Sequence, residues 1–175
     1  MNKASLLAGG VLVFAAACAT TTTTTLPSGA LDVRAAMQQA VNPAMLSIWD
    51  ITNNAMNDEG GIDPVQMDAA KWQQIAEGAD QLAAAGTAMA EAEAFVAAAP
   101  GNSAVDEGAV PMAEVQRHLD SDPRLFAQMA AAFAAHSTQL AEAAKKQDAV
   151  ATSELIVQMD GVCESCHARF WYPEP

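Results

Sequence analysis

The feature that most restricts the fold of this chain is a series of alanine-rich segments in which larger apolar residues recur three or four positions apart. In the clearest of them, Phe126, Met129, Phe133, His136 and Leu140 lie on one face of a helix. No stretch alternates apolar and polar residues between turn signals, as a half-buried strand does. The pattern predicts an all-α protein with four helices, over residues 30–57, 64–98, 123–147 and 149–170.

Turn-forming segments separate these four helices. They are NDEGGIDP, AAPGNSAVDEGAVP, DSDP and KKQD, and the piece MAEVQRHL between the second and third helices predicts a short extra helix. In DSDP, Asp122 is expected to cap the third helix, with Pro123 at its first position. Four amphipathic helices joined in this way most simply form an antiparallel four-helix bundle.

The N-terminal segment MNKASLLAGGVLVFAAAC is typical of export. One lysine precedes an apolar run over residues 6–17, which is too short to span a bilayer and ends in small residues. Residues 1–17 are therefore predicted to be a signal peptide and the protein to be periplasmic. The end of this segment, AAAC, resembles the lipobox of bacterial lipoproteins, in which Cys18 would carry the lipid. Ala15 stands where that box usually has leucine, and cleavage by the ordinary signal peptidase would instead leave Cys18 as a free thiol.

The threonine-rich residues 18–29 that follow read as a flexible tether. They would join a membrane anchor to a domain formed by residues 30–175.

The charge of the chain is strongly unbalanced. It contains 21 acidic and 8 basic residues, a net charge of −13. This excludes nucleic acid as a default partner and favours basic protein partners.

The C-terminal sequence DGVCESCHARFWYPEP contains the chemistry-bearing motif. A zinc site would need a second pair of ligands, and the only other histidines, His118 and His136, lie far away. A thioredoxin-like dithiol follows a strand, and a disulfide across two residues would contribute little. Cys163 and Cys166 lie one helical turn apart and can each add to one haem vinyl group, while His167 is placed to ligate the iron. The motif therefore predicts one covalent haem c.

A haem motif at the end of the last helix of an exported bundle resembles the cytochrome c-prime family. The stretches VRAAMQQAVNPAMLSIWD and CESCHARFWYP are similar to bacterial relatives of that family with Met, Pro and Trp in the first helix and the same aromatic tail. The resemblance implies a haem between the first and last helices, His167 as proximal ligand, and a distal side chain from the first helix. It also allows a homodimer.

The first helix is expected to supply the distal side chain. Met37, Val41, Ala44, Ile48 and Thr52 fall on one stripe, which places Met37 opposite His167 as a candidate iron ligand. Methionine also fills gaps in cores without binding anything.

In that family, the distal residue usually lies four positions after an arginine that contacts a haem propionate. From Arg34 this gives Gln38 and not Met37, so Arg34 is a candidate propionate contact and also reads as a surface ion.

Several other residues carry weaker expectations. Phe170 and Trp171 are candidate haem walls, and Trp49 and Trp72 read as core residues. Pro43 is expected to kink or restart the first helix. His136 reads as a hydrogen-bonded core residue and His118 as exposed.

Two functions remain open at this stage. One is electron transfer through a six-coordinate haem with a redox partner protein, and the other is binding of nitric oxide or carbon monoxide at a vacant distal site. The CxxCH motif could also be incidental. Nothing in the sequence indicates an enzyme.

Overall fold

The computed structural model describes residues 26–172 and is predominantly helical, which confirms the all-α prediction. The predicted signal peptide, Cys18 and most of the tether lie outside the described residues. The helices are α1 (Val33–Ala36), α2 (Asn42–Asn54), α3 (Ala69–Glu91), α4 (Met112–Ser121), α5 (Pro123–Lys145) and α6 (Ala149–Phe170), with a π-helical segment at Met37–Val41 and a 3-10 turn at Pro64–Gln66.

Aspartates cap four of the helices, and this sets their first residues. The Asp122 carboxylate accepts a hydrogen bond from the Leu125 N–H, which confirms the predicted cap of α5. Asp68 accepts from the Lys71 N–H, so α3 begins at residue 69 and not at the predicted residue 64. Asp32 and Asp148 cap α1 and α6 in the same way.

Two three-residue strands contradict the expectation that strands are absent. β1 (Ala30–Asp32) pairs in parallel with β2 (Ala94–Val96), with Leu31 opposite Phe95. This pairing accounts for two wrong helix boundaries, because residues 30–32 and 94–96 form the strands and α3 has already ended at Glu91. Strands of three residues are too short to show an alternating pattern.

Pro43 alters the first long helix without ending it. The Asn42 N–H bonds to the Met37 carbonyl, five residues back, in place of the usual four. Proline has no N–H to give the Gln39 carbonyl, and the extra residue in the π-helical turn accommodates that loss. A kink or a restart was expected at Pro43, and the structure shows a local change of pitch after which the helix continues through α2.

The long helices pack in chain order, α2 on α3, α3 on α5 and α5 on α6. The short helix α4 lies against β2, α5 and α6. By contrast, the backbones of α2 and α6 come close at few points, and residues of both helices line a cavity between them. None of the helices within residues 26–172 is both long and apolar enough to cross a bilayer.

α3 and α5 approach each other closely at Gly86. A Cβ at this position would lie 2.8 Å from Cδ1 of Phe133 and 2.9 Å from the Ala134 backbone nitrogen, so alanine cannot fit without moving a helix. We expect Gly86→Ala to lower the free energy of unfolding by about 1–3 kcal/mol, measured by urea titration. Gly161, inside α6, has nothing within 4 Å of its missing Cβ. Gly161→Ala should therefore stabilise the protein by about 0.5–1 kcal/mol. Equal stability of the two variants would contradict this account of the α3–α5 contact.

Candidate cofactor site

Cys163, Cys166 and His167 line one cavity of about 290 Å³. The cavity lies between α6 and the other long helices, and its largest wall residues include Trp49, Phe126 and Phe133. An engineered apolar cavity of roughly 150 Å³ is enough to admit benzene. This cavity can therefore accept a planar group larger than benzene.

The three motif residues occupy the last turns of α6. Cys163 and Cys166 are three residues apart, so both half-buried thiols are on the same side of the helix. The helix ends directly after them, where the Trp171 and Tyr172 N–H groups both donate to the His167 carbonyl. The motif is consequently held in regular helix up to its end.

Burial controls the protonation of these groups. Burial, and then the neighbouring Cys163, raises the pKa of Cys166 to about 11. Burial also raises the pKa of Cys163, with a smaller contribution from Asp160. Burial lowers the pKa of His167, against the opposing charge of Glu164. At neutral pH the site therefore holds two thiols and a neutral imidazole, the form of histidine that binds metals.

The aromatic tail divides between two environments. Trp171 lies edge-on to the His167 ring at 5.3 Å between centroids, and Tyr172 lies at 6.0 Å. The Tyr172 hydroxyl donates to a Glu164 carboxylate oxygen at 2.7 Å. These contacts cover the outer side of the imidazole.

Phe170 and Trp171 do not line the main cavity as predicted for haem walls. Phe170 is buried and packs at 87° to Phe126, whereas Trp171 is 38% exposed. Both line a smaller adjoining pocket of about 40 Å³, which Cys166 and His167 share. Contact between these two residues and a haem stays a prediction, and it concerns only the part of a haem that would reach the smaller pocket.

Arg34 is half-buried and lines the same smaller pocket. Its Nη1 donates to the carbonyls of Asn102 and Ala104 at 2.8 and 2.7 Å. Gln38 accepts a hydrogen bond from the Asn102 side chain at 2.9 Å. Arg34 thus fixes the connection that follows β2, and a propionate contact would use its remaining N–H groups.

Four methionines line the main cavity, whereas the sequence analysis singled out Met37 alone. They are Met37, Met45, Met89 and Met129. Met45 and Met89 are buried in the core, and Met37 and Met129 are half-buried. Only Met37 of the four also lines the smaller pocket beside His167. The position of Met129 on the apolar face of α5 was a usable signal, but Met45 and Met89 are identified only by the packing.

Two tryptophans and two histidines were also assigned from the sequence. Trp72 is buried, as predicted, but Trp49 is 37% exposed and lines the cavity, so its assignment to the core was wrong. Nε2 of His136 lies 2.8 Å from the Leu155 carbonyl, which confirms a hydrogen-bonded residue within the packed helices. His118 is half-buried, with Nδ1 at 3.2 Å from the Phe170 carbonyl, and the expectation that it is exposed was wrong.

Within the part of the chain that the structure describes, no three His, Cys, Asp or Glu side chains converge as a metal site. Comparison with protein families, curated proteins and solved structures found no match. The chemistry of the cavity must be inferred from its own residues.

Proposed function

We propose that this protein is an exported c-type cytochrome with one covalent haem, and that it transfers electrons. Cys163 and Cys166 form the two thioether bonds, His167 is the proximal iron ligand and Met37 the distal ligand. One observation carries the proposal: both thiols and a neutral imidazole line the same apolar cavity, between helices whose backbones come close at few points.

The donor set and the walls of the cavity fit a haem. The two thiols are spaced for two vinyl groups, and the imidazole follows them directly. Most of the remaining lining is methionine, aliphatic or aromatic, as suits the flat apolar body of a porphyrin. When bound, a haem supplies a one-electron iron couple and, where its distal position is free, a site for small gases.

Each part of the chain has a defined task in electron transfer. His167 would bind the iron, with the Trp171 and Tyr172 rings packed beside its imidazole. The apolar walls would reduce the access of water to a bound metal. A soft Met37 thioether favours ferrous iron and so raises the reduction potential.

We propose a cytochrome c-prime-like four-helix bundle as the fold. Its four members are α2 with the turns that precede it, α3, α5 and α6. The packing of these helices in chain order, with a cavity between the first and the last, supports this assignment. The short helix α4 is then an addition within the connection.

The second candidate function is the binding of nitric oxide or carbon monoxide. It is favoured by the composition of the cavity wall, which offers apolar side chains and few polar groups other than Asn42 and the motif residues. Small neutral gases need little from a distal pocket beyond space. Neither candidate function requires an acid or base group, so we propose no enzymatic activity.

A potentiometric titration tests the electron-transfer role. The optical spectrum of the purified protein should follow one reversible one-electron transition, because one haem in a fixed ligand set has a single potential. Repeated oxidation and reduction should return the same spectrum. A haem that changes ligands irreversibly on reduction would contradict the role of carrier.

The membrane anchor has its own test. Labelled palmitate should enter the protein, and Cys18→Ser should abolish the labelling and release the protein from the membrane fraction. The reason is that only the Cys18 thiol can carry the predicted diacylglycerol at the mature terminus. A wild-type protein that is unlabelled and found free of membranes would show that residues 18–29 are an N-terminal tail without an anchor.

A further inference from the structure

An exposed apolar strip runs from the mouth of the cavity over α2, the residues just after it and α6. Leu46, Trp49, Met56 and Val157 have exposures of 59%, 37%, 47% and 69%. Leu46 and Trp49 line the main cavity, while Trp49, Met56 and Val157 line a second cavity of about 170 Å³. Trp49 therefore joins the two cavities. We call these four residues the α2–α6 strip.

The chain segments that flank this strip contain only negative charges. Residues 35–70 hold five Asp or Glu residues, residues 147–168 hold four, and neither range contains Lys or Arg. Three of these carboxylates, Asp63, Asp68 and Asp148, cap helices and have a local structural role. The other six are Asp50, Asp58, Glu59, Glu154, Asp160 and Glu164.

These charges border the strip and lack basic partners. Asp50 follows Trp49 in α2, and Asp160 lines the second cavity. The Ile62 N–H donates to Ser153 Oγ at 2.9 Å, which holds the loop containing Asp58 and Glu59 against α6. Among the residues that the structure describes, none of the six carboxylates lies within salt-bridge distance of a Lys or Arg. The acidic rim is therefore available to an external cation.

We propose that the α2–α6 strip and its acidic rim form the docking surface for a positively charged redox protein. This inference rests on the proposed electron-transfer function, and it adds the place of contact and the sign of the partner's charge. A second copy of this chain would bring the same negative rim against the strip, and anionic lipid headgroups would be repelled in the same way. A partner with an apolar patch surrounded by Lys and Arg matches both the strip and the rim.

Electron transfer to small charged oxidants provides the first test. Tris(phenanthroline)cobalt(III) is a positively charged one-electron oxidant with apolar edges. Ferricyanide is a one-electron oxidant of negative charge. The rate constant for the cobalt complex should fall as salt is added, and that for ferricyanide should rise, because salt screens attraction and repulsion alike. Asp50→Asn with Asp160→Asn should slow the cobalt reaction about threefold at low salt. The control, Glu77→Gln with Glu91→Gln on α3, removes the same charge elsewhere and should slow this reaction distinctly less, because its charges lie farther from the strip.

Amide chemical shifts locate the contact independently of electron transfer. A short peptide of alternating Lys and Leu, added to the labelled reduced protein, should shift signals from α2, α6 and the loop between α2 and α3. The Asp50→Asn, Asp160→Asn protein should show weaker shifts there.

If the shifts fall on α3 and α5, or if both double variants behave alike, the docking proposal is wrong even when electron transfer is observed. Shifts at α2 and α6 in a protein without redox activity would support docking and contradict the proposed function. Self-association through the strip would also overturn the proposal.

Discussion

Replacing Cys163 and Cys166 together by alanine should abolish covalent haem attachment. The wild-type chain, produced with a cytochrome maturation system, should hold one haem that denaturation does not release, because each thiol forms a carbon–sulfur bond to a vinyl group. The double variant should release whatever haem it contains into acidified organic solvent. The pyridine haemochrome spectrum of denatured samples measures this loss, which we expect to be complete.

The single variants and a nearby control make this test specific. Cys163→Ala and Cys166→Ala should each leave one vinyl group unreacted, which shifts the haemochrome band. Ser165 lies between the two cysteines, is exposed, and donates only to the Gly161 carbonyl in its own helix at 2.6 Å. Ser165→Ala should therefore keep full haem content. A wild-type protein without covalent haem, or one that holds zinc in equal amount, would contradict the cytochrome proposal.

Local signals predicted the parts of the fold that depend on neighbouring residues. Asp122 with Pro123 marked the start of α5, and the apolar spacing in residues 123–147 marked its buried face. The pairing of β1 with β2 joins segments more than sixty positions apart and three residues long, so neither segment shows it alone. The early end of α3 follows from that pairing. The π-helical turn was only partly foreseeable, since Pro43 shows that a hydrogen bond is lost but not how the helix compensates.

The same division applies to the candidate site. The motif residues belong to one turn of α6, so their common side of the helix could be predicted from spacing. The opposite walls come from α2, α3 and α5, and which methionines reach the cavity depends on how those helices pack. Trp49 was assigned to the core because tryptophan is large and apolar, whereas it lies where α2 and α6 separate. In the sequence, a residue beside a cavity resembles a core residue, because the distance to the neighbouring helix is set only by the packing.

The reaction with carbon monoxide should depend on Met37 more than on any other wall residue. If the Met37 thioether ligates the iron, the ferric protein should be low-spin and the ferrous protein should resist carbon monoxide. Met37→Ala should give a high-spin spectrum and a lower reduction potential, because the soft ligand that favours ferrous iron is lost. If Met37 occupies the distal position at least nine tenths of the time, its removal should raise the apparent affinity for carbon monoxide about tenfold or more.

Variants of the other three methionines show whether this effect comes from the loss of an iron ligand or from a larger cavity. Met45→Ala, Met89→Ala and Met129→Ala enlarge the same cavity, so a general opening should affect all four variants alike, whereas ligation should single out one. A low-spin spectrum that survives Met37→Ala and is lost in Met129→Ala would transfer the ligand to α5. His136→Ala should leave the spectrum unchanged, because Nε2 of His136 bonds to the Leu155 carbonyl and the residue does not line the cavity. A wild-type protein that is already high-spin and binds carbon monoxide tightly would exclude Met37 as a ligand, and its apolar distal wall would then favour gas binding over electron transfer.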